Sequence, residues 1–506
     1  MSSPPARAAE RLQPRLALEI EPPSRMAVGG GNAFVIGGYC YDPGQRTREL
    51  AVSVSAARQP VERFRLPRDD VYEQLDAPAS TRASAYRSGF VAVVDLEPVE
   101  RPETLELEVV LTLENGDEAN AAAGGIEVEP QVAPPAGFSP PPSPNRGGPL
   151  VAICMATYEP PGDLLRTQLE SIREQTHENW VCVISDDRSS EESFERLLEL
   201  TGDDPRFAVS RSAERLGFYR NFERALAMAP AEAGFVTLCD QDDRWYPEKL
   251  ERLIGGIGGA QLAYSDARIV SPGGEVVRPS YWTERRNNHT NFGSLLLANS
   301  VTGAASLFRR ELLDDVLPFP PLLAKGFHDH WLALVAMAQG EIAYLDEPLY
   351  DYVQHDTAVI GHLRANKRPK PIRRHLVERL RNPTGGSRAV YYYDWHQQVL
   401  FCEVLRLRCW ERMTPSKRRT LMRLRSADSG VAGLAWLLGR RARRLWGHNE
   451  TLDRELFYSY ALLRRRAVSG YTAGRRRPSR VLPRDIAIPP GTDRQHGDLT
   501  STERQH

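Results

Sequence analysis

The chain has 506 residues, room for about three domains at ~150 residues each. With 41% apolar and 26% charged residues it belongs with globular chains, which excludes disordered and collagen-like classes. The formal net charge of −1 balances 65 Lys and Arg against 66 Asp and Glu, and taken whole it argues against a nucleic-acid or membrane partner. No apolar run reaches the ~18–20 residues of a transmembrane helix; the best, Val431 to Leu438, is short and flanked by Arg. The first residues, MSSPPARAAERLQPRL, lack the apolar core of a secretory signal, so a cytoplasmic location is expected. Cys40, Cys154, Cys182, Cys239, Cys402 and Cys409 fit a reducing compartment, and none forms the CxxC pair of a zinc site. Asn288 and Asn449 begin glycosylation sequons that, without a signal, read as chance.

In chain order, residues 1–15 are Pro- and Arg-rich and predicted to be loose. Residues 16–130 hold the short runs LALEI, AFVIGGYCY, ELAVSVS, SGFVAVVDL and TLELEVVLTL, with Asn115-Gly116 as a hairpin signal and no helical period of useful length. This predicts a small antiparallel β-sandwich. Residues 131–148 (QVAPPAGFSPPPSPNRGG) are a Pro-rich linker, expected to be extended.

Across 149–362 the pattern changes. LVAICMATY, WVCVISDD, GFVTLCDQDD and AQLAYSDARIV are apolar runs that end in polar residues, separated by helical spacings such as Leu165, Leu169 and Ile172. Continuous apolar strands alternating with helices predict a mostly parallel sheet covered on both faces. Ligands on such sheets bind beyond the C-terminal strand ends, where these polar residues fall.

Three of those ends carry candidate chemistry. Asp240-Gln241-Asp242-Asp243 packs three carboxylates into four residues; they repel unless a cation compensates, and a divalent ion completed by phosphate and water oxygens suits them. The ordinary alternative is a solvated acidic turn. Asp186-Asp187 can accept from a base imide or a ribose hydroxyl, or can simply cap a turn. In Ala156-Thr157-Tyr158-Glu159-Pro160, Tyr158 can stack on a base while the backbone binds its edge, or the segment is a plain strand-to-helix turn.

These three runs, in this order, resemble the inverting nucleotide-sugar glycosyltransferases of family 2, with the GT-A fold, over about 149–362. The resemblance implies donor contacts from Ala156, Thr157, Tyr158, Glu159, Asp186, Asp187 and Gln241, and Mg²⁺ or Mn²⁺ held by Asp240 and Asp242 on the diphosphate. In Arg215-Leu216-Gly217 relatives usually carry Asn at the position of Arg215, so Arg215 and Gly217 belong to a donor loop of altered chemistry. Phe327-His328-Asp329-His330-Trp331 matches the base region: Asp329 takes the base position, with His328 where Glu is common. The His-Asp-x-Trp form, Asp240-Gln241-Asp242-Asp243 and Tyr352-Val353-Gln354-His355 are similar to the rhamnosyltransferase-like branch, which implies His355 as a metal or diphosphate contact. Asn299 to Ala305 resembles the acceptor-side loop, placing Thr302, Gly303, His328 and Trp331 near the acceptor.

The implied function is transfer of a sugar, rhamnose in that branch, from a dTDP- or UDP-linked donor to a glycan or lipid-linked acceptor of the cell envelope. Two other readings stand beside it. A sugar nucleotidyltransferase needs a Gly-rich phosphate loop, which MATYEPPGD lacks. A non-catalytic carbohydrate-binding or assembly protein would use the sandwich.

Beyond 363 strands disappear and Arg dominates, predicting a basic helical region to 480 and a disordered tail over 481–506. Residues 361–480 hold 29 Lys and Arg against 8 Asp and Glu, a formal +21, so the remainder carries −22. The arginines sit among Trp436, Trp446, Phe457 and Tyr458, which suits an anionic membrane surface and the inner face of the plasma membrane. No nucleic-acid motif is present, and the oligomeric state is left open.

Overall fold

The computed structural model describes residues 13–463 except 283–285, 325, 355–388, 429, 447–449 and 452. The N-terminal part forms nine strands: β1 (Arg15–Ile20), β2 (Arg25–Ala27), β3 (Asn32–Tyr41), β4 (Thr47–Val54), β5 (Ala57–Pro60), β6 (Arg63–Leu66), β7 (Gly89–Leu96), β8 (Glu103–Leu113) and β9 (Glu118–Glu129). They make two sheets, ordered β1-β3-β7-β6 and β2-β9-β8-β4-β5, antiparallel except for the β2–β9 pair. The period of two sorts the side chains. Phe34, Ile36, Phe90 and Val94 meet Val52, Val109, Leu111 and Ile126 between the sheets. Ala33, Val35 and Val91, on the opposite face, join the core of the rest of the chain. Burial of both faces is why β3 is a continuous apolar run rather than an alternating one.

The hairpin at Asn115-Gly116 joins β8 to β9, with the Gly116 N–H on the Leu113 carbonyl at 3.0 Å. Two short helices, Asp69–Gln74 and Ala79–Tyr86, stand where the sequence showed no helical period. Each spans about two turns or fewer and only Ala85 is buried, so neither needs an apolar stripe.

After residues 130–150, which hold no helix or strand, a second sheet begins. β10 (Val151–Thr157), β11 (Trp180–Asp186), β12 (Phe207–Arg211) and β13 (Phe235–Cys239) are parallel, in the order β12-β11-β10-β13. The helices Gly162–Arg173, Glu191–Thr201 and Gly217–Ala227 cover them. The sheet continues through β17 (Ser306–Arg309), β15 (Leu262–Val270), β18 (Ile342–Val353) and β14 (Arg244–Trp245), with β16 (Val276–Arg278) beside β15. β17 runs antiparallel to both neighbours, and β15 pairs with β18 in parallel. β18 contains Pro348, which cannot donate to the ladder, and the register with β15 shifts there.

The C-terminal residues form helices: a π-turn at Val390–Trp395 leading into His396–Cys409, then Pro415–Arg425, Val431–Arg440 and residues 454–463. His396–Cys409 is buried on most of its circumference, lying across β3 and β7 on one side and against the helix His328–Gln339 on the other. Its Arg408 is buried, with Nε donating to the Gly31 carbonyl at 2.6 Å and Nη1 to the Asp315 and Pro318 carbonyls at 2.9 and 2.7 Å. Arg406 pairs with Asp95 at 2.7 Å, and Arg63 with the buried Asp428 at 2.7 Å. Part of the C-terminal basic excess therefore joins the N-terminal sheets to the second domain. All six cysteines are buried and free, and no described helix is long and apolar enough to cross a membrane.

Candidate active site

The C-terminal ends of β10, β11 and β13 open onto one cleft. Tyr158, Asp187, Arg215, Asp240, Gln241 and Asp242 line it, with Ala156 and Thr157 behind Tyr158. Parallel strands in matched register bring this about: Thr157 lies opposite Asp186, and Met155 opposite Cys239.

The two aspartates that end β11 differ in use. Asp186 is buried and serves the turn, accepting from Thr157 Oγ1 at 3.1 Å, Ser189 Oγ at 2.6 Å and the Ser189 N–H at 3.0 Å. Asp187 accepts the N–H groups of Leu216 and Gly217 at 2.6 and 2.9 Å, at the start of the helix Gly217–Ala227, and Arg215 Nε lies 3.3 Å from it. Burial pushes the Asp187 carboxyl up, and the amides and Arg215 oppose that. Arg215 also lies over the Tyr158 ring.

Gln241 makes a reciprocal amide pair with the Tyr158 backbone: the Tyr158 N–H donates to Oε1 at 2.8 Å, and Nε2 donates to the Tyr158 carbonyl at 3.1 Å. Glu159 is directed to the helix Glu191–Thr201, accepting from the Ser190 N–H at 2.6 Å and Ser193 Oγ at 2.8 Å. It therefore caps a helix and positions the turn.

The acidic run has a graded burial. Asp243 is buried, with Oδ1 on the Val353 N–H at 3.2 Å and Oδ2 without a hydrogen-bond partner among the described residues. The carboxyl of Asp240 is pushed up to about 7, by burial first and then by the charges of Asp242 and Asp329. The buried cation nearby is Lys249, whose ammonium donates to the Ala304 carbonyl and lies over the Trp245 ring. Burial pulls Lys249 down to about 7, which weakens it as a counter-charge.

Asp329 begins the helix His328–Gln339, and burial pushes its carboxyl up to about 7. Asn299 Nδ2 donates to its Oδ1 at 3.0 Å, and the Gly303 backbone N–H opposes the shift. Gly303 must be small: a Cβ there would stand 3.0 Å from His328 Nε2 and 3.5 Å from the Asp329 Cβ. Thr302, half-buried, leads into that turn.

The structure thus gathers Tyr158, Asp187, Arg215, Gln241, Asp240, Asp242 and Asp329, but not every expected residue. Trp331 is fully buried, its indole N–H on the Val316 carbonyl at 2.9 Å, so it packs the core and has no surface to offer an acceptor. His328 is buried with its ring stacked on Phe222 at 3.8 Å, and burial lowers its pKa to about 3, so it stays neutral and sits behind Asp329. His355 lies outside the described residues. Asn299 fell in the expected acceptor-side loop without a role of its own, and Lys249 was not among the expected site residues. An Asn in a loop and a Lys in a helix carry no signal by themselves, and only the fold brings one to Asp329 and the other beneath the acidic run.

No group of three or more His, Cys, Asp or Glu side chains among the described residues is arranged to hold a metal ion alone. Asp240 and Asp242 nevertheless suit a divalent ion. They are hard oxygen donors on one cleft, their mutual repulsion raises Asp240, and the remaining positions are open to ligand oxygens.

The family model described as "Glycosyl transferase family 2" matches residues 152–317. The "Uncharacterized protein y4gI" of Sinorhizobium fredii is 26% identical over 257 residues, 48% of this chain and 26% of its own length. The "UDP-Glc:alpha-D-GlcNAc-diphosphoundecaprenol beta-1,3-glucosyltransferase WfgD" of Escherichia coli is 29% identical over 191 residues, 37% of this chain and 70% of its own length. A crystal structure of S. aureus TarS 1-349 in complex with UDP-GlcNAc has 17% identity and a TM-score of 0.36, covering 63% of this chain and 92% of that one. The chain spans about a quarter of the length of the first of these relatives. Residues 152–317 therefore match the glycosyltransferase family 2 model, within an α/β fold of the GT-A type set between N-terminal strands and C-terminal helices.

Proposed function

We propose that the chain is a metal-dependent, inverting glycosyltransferase that moves a sugar from a dTDP- or UDP-linked donor to a glycan or lipid-linked acceptor in cell-envelope synthesis, with rhamnose as the donor sugar. One observation carries the reading: the charges of Asp242 and Asp329 both act on Asp240, beside a cleft that also holds Tyr158 and Asp187.

Tyr158 would support the base and Asp187 would accept from its edge, with Gln241 fixing the Tyr158 backbone. Asp240 and Asp242 would hold Mg²⁺ or Mn²⁺, which when bound offsets charge on the diphosphate. Asp329 removes the acceptor hydroxyl proton as that oxygen bonds to the anomeric carbon and the bond to the diphosphate breaks, which inverts the centre. A carboxylate with a pKa near 7 is a stronger base than an ordinary aspartate and is still mostly ionised just above neutrality. A lipid-linked acceptor agrees with peripheral contact at the anionic inner face of the plasma membrane. WfgD is named as acting on a diphosphoundecaprenol substrate.

The test is transfer or donor hydrolysis by the purified chain with Mg²⁺ or Mn²⁺ across UDP- and dTDP-sugars. Turnover unchanged in both Asp242→Ala and Asp329→Asn sinks the assignment, and preference for another donor over dTDP-rhamnose removes the sugar.

A further inference from the structure

The helix Val431–Arg440 and the 3-10 turns Arg441–Trp446 that continue it present an unusual outer face. Gly433, Leu434 and Leu437 are buried, so one side is core. On the other side Val431, Ala435, Leu438, Ala442 and Leu445 follow at helical intervals, and all five are exposed. Val431 is 78%, Leu445 83% and Trp446 71% exposed. A helix that is apolar on its solvent side as well as its core side is normally covered.

The charge around this stripe indicates what covers it. Residues 412–449 hold ten Lys and Arg and a single acid, Asp428. Asp428 is buried and held by Arg63 and Tyr391, so no carboxylate of this segment is exposed. Several of the cations are used internally: Arg412 on Asp315, Arg425 on Glu403, and Arg443 on Glu450. Arg419, Arg423 and Arg441 are exposed and pair with no described carboxylate. Arg419 and Arg423 lie on the helix Pro415–Arg425, which packs against Val431–Arg440.

We infer that Val431–Trp446 is a membrane-docking surface that lies in the plane of an anionic bilayer, with Val431, Leu438, Leu445 and Trp446 entering the headgroup boundary and Arg419, Arg423 and Arg441 meeting lipid phosphates. The inference deepens the proposed action on a lipid-linked acceptor, yet binding is measured without turnover. Its closest rival is a second copy of the chain, whose surface there would be equally basic and would repel.

The experiment is co-sedimentation of the full chain with vesicles of phosphatidylcholine alone and with about a third phosphatidylglycerol. Binding is expected to the anionic vesicles, at least about tenfold above the neutral ones, and to fall as salt is added. A Val431→Ser, Leu438→Ser, Leu445→Ser, Trp446→Ser variant should lose that binding while keeping its thermal midpoint and donor hydrolysis, because these side chains face solvent. Arg419→Glu with Arg423→Glu should lose it too. Equal partition onto both vesicles, or a serine variant that binds like the parent, overturns the inference. A dimer in sedimentation velocity that the serine variant dissolves, without vesicle binding, overturns it in favour of self-association. Asp242→Ala should still bind, which separates this result from failure of the transfer assay.

Discussion

The guanidinium of Arg215 lies over the ring of Tyr158, and its Nε stands 3.3 Å from Asp187. One side chain thus covers both the aromatic face and the carboxylate expected to receive the donor base. Displacing it costs a cation–π contact, about 0.5–2 kcal/mol. Arg215→Asn should therefore tighten binding of UDP or dTDP by roughly two- to thirtyfold in calorimetry. Weaker binding would show instead that the guanidinium contacts the donor.

As the proposed base, Asp329 would act only when deprotonated. With its pKa raised to about 7, kcat/KM should fall about tenfold per unit as pH drops below 7. Asn299 donates to the charged form, so Asn299→Ala should move that acid limb to higher pH, by about half a unit to one unit. Asp329→Asn should remove about 10²–10⁴ of kcat and leave donor binding intact.

The acidic cluster should cost stability at neutral pH. Asp240 and Asp329 have folded pKa values of about 7, above those of an unfolded aspartate, so the folded state holds protons longer. Their contribution is greatest below the unfolded value of about 4 and is lost as pH rises through 7. Asp240→Asn should raise the metal-free thermal midpoint at pH 7.5, at about 1.4 kcal/mol for each pKa unit relieved, and abolish turnover. At pH 4 the same variant should show little gain. Mn²⁺ should raise the parent's midpoint more at pH 7.5 than at pH 5, and Asp240→Asn should blunt that rise.

Arg408 holds carbonyls from two parts of the chain, and burial lowers its pKa to about 10. Arg408→Ala would leave the Gly31, Asp315 and Pro318 carbonyls unpaired in a buried seam. The expected loss is about 2–5 kcal/mol by denaturant unfolding, with kcat of the folded fraction unchanged because Arg408 is not among the cleft residues.

Much of the catalytic sheet could be anticipated because β10 and β11 are buried on both faces, and such strands write themselves as unbroken apolar runs. β9 escaped for the opposite reason. Its EANAAAGGIEVE has weak strand preference, and its pairing with β8 supplies what the residues lack. Trp331 shows the limit of motif reasoning: two residues beyond Asp329 along a helix puts it about 200° round the axis, into the core.

Local chemistry along the chain therefore decides the strand order of polar ends: Tyr158, Asp187, Asp240 and Asp242, each stopping an apolar run where a parallel sheet opens. It also decides the split of charge between an acidic body and a basic C-terminal segment. What awaits folding is the environment of each group. Burial removes water from the Asp329 carboxylate and pushes its pKa up to about 7, and Asn299 arrives from 30 residues away to oppose that shift. Lys249 loses much of its charge for the same reason, and the arginines of the C-terminal segment divide into internal ties and exposed cations only once their neighbours are in place. A pKa or an ion pair depends on solvent exclusion and on distances through space, and neither is encoded in the spacing of residues along the chain.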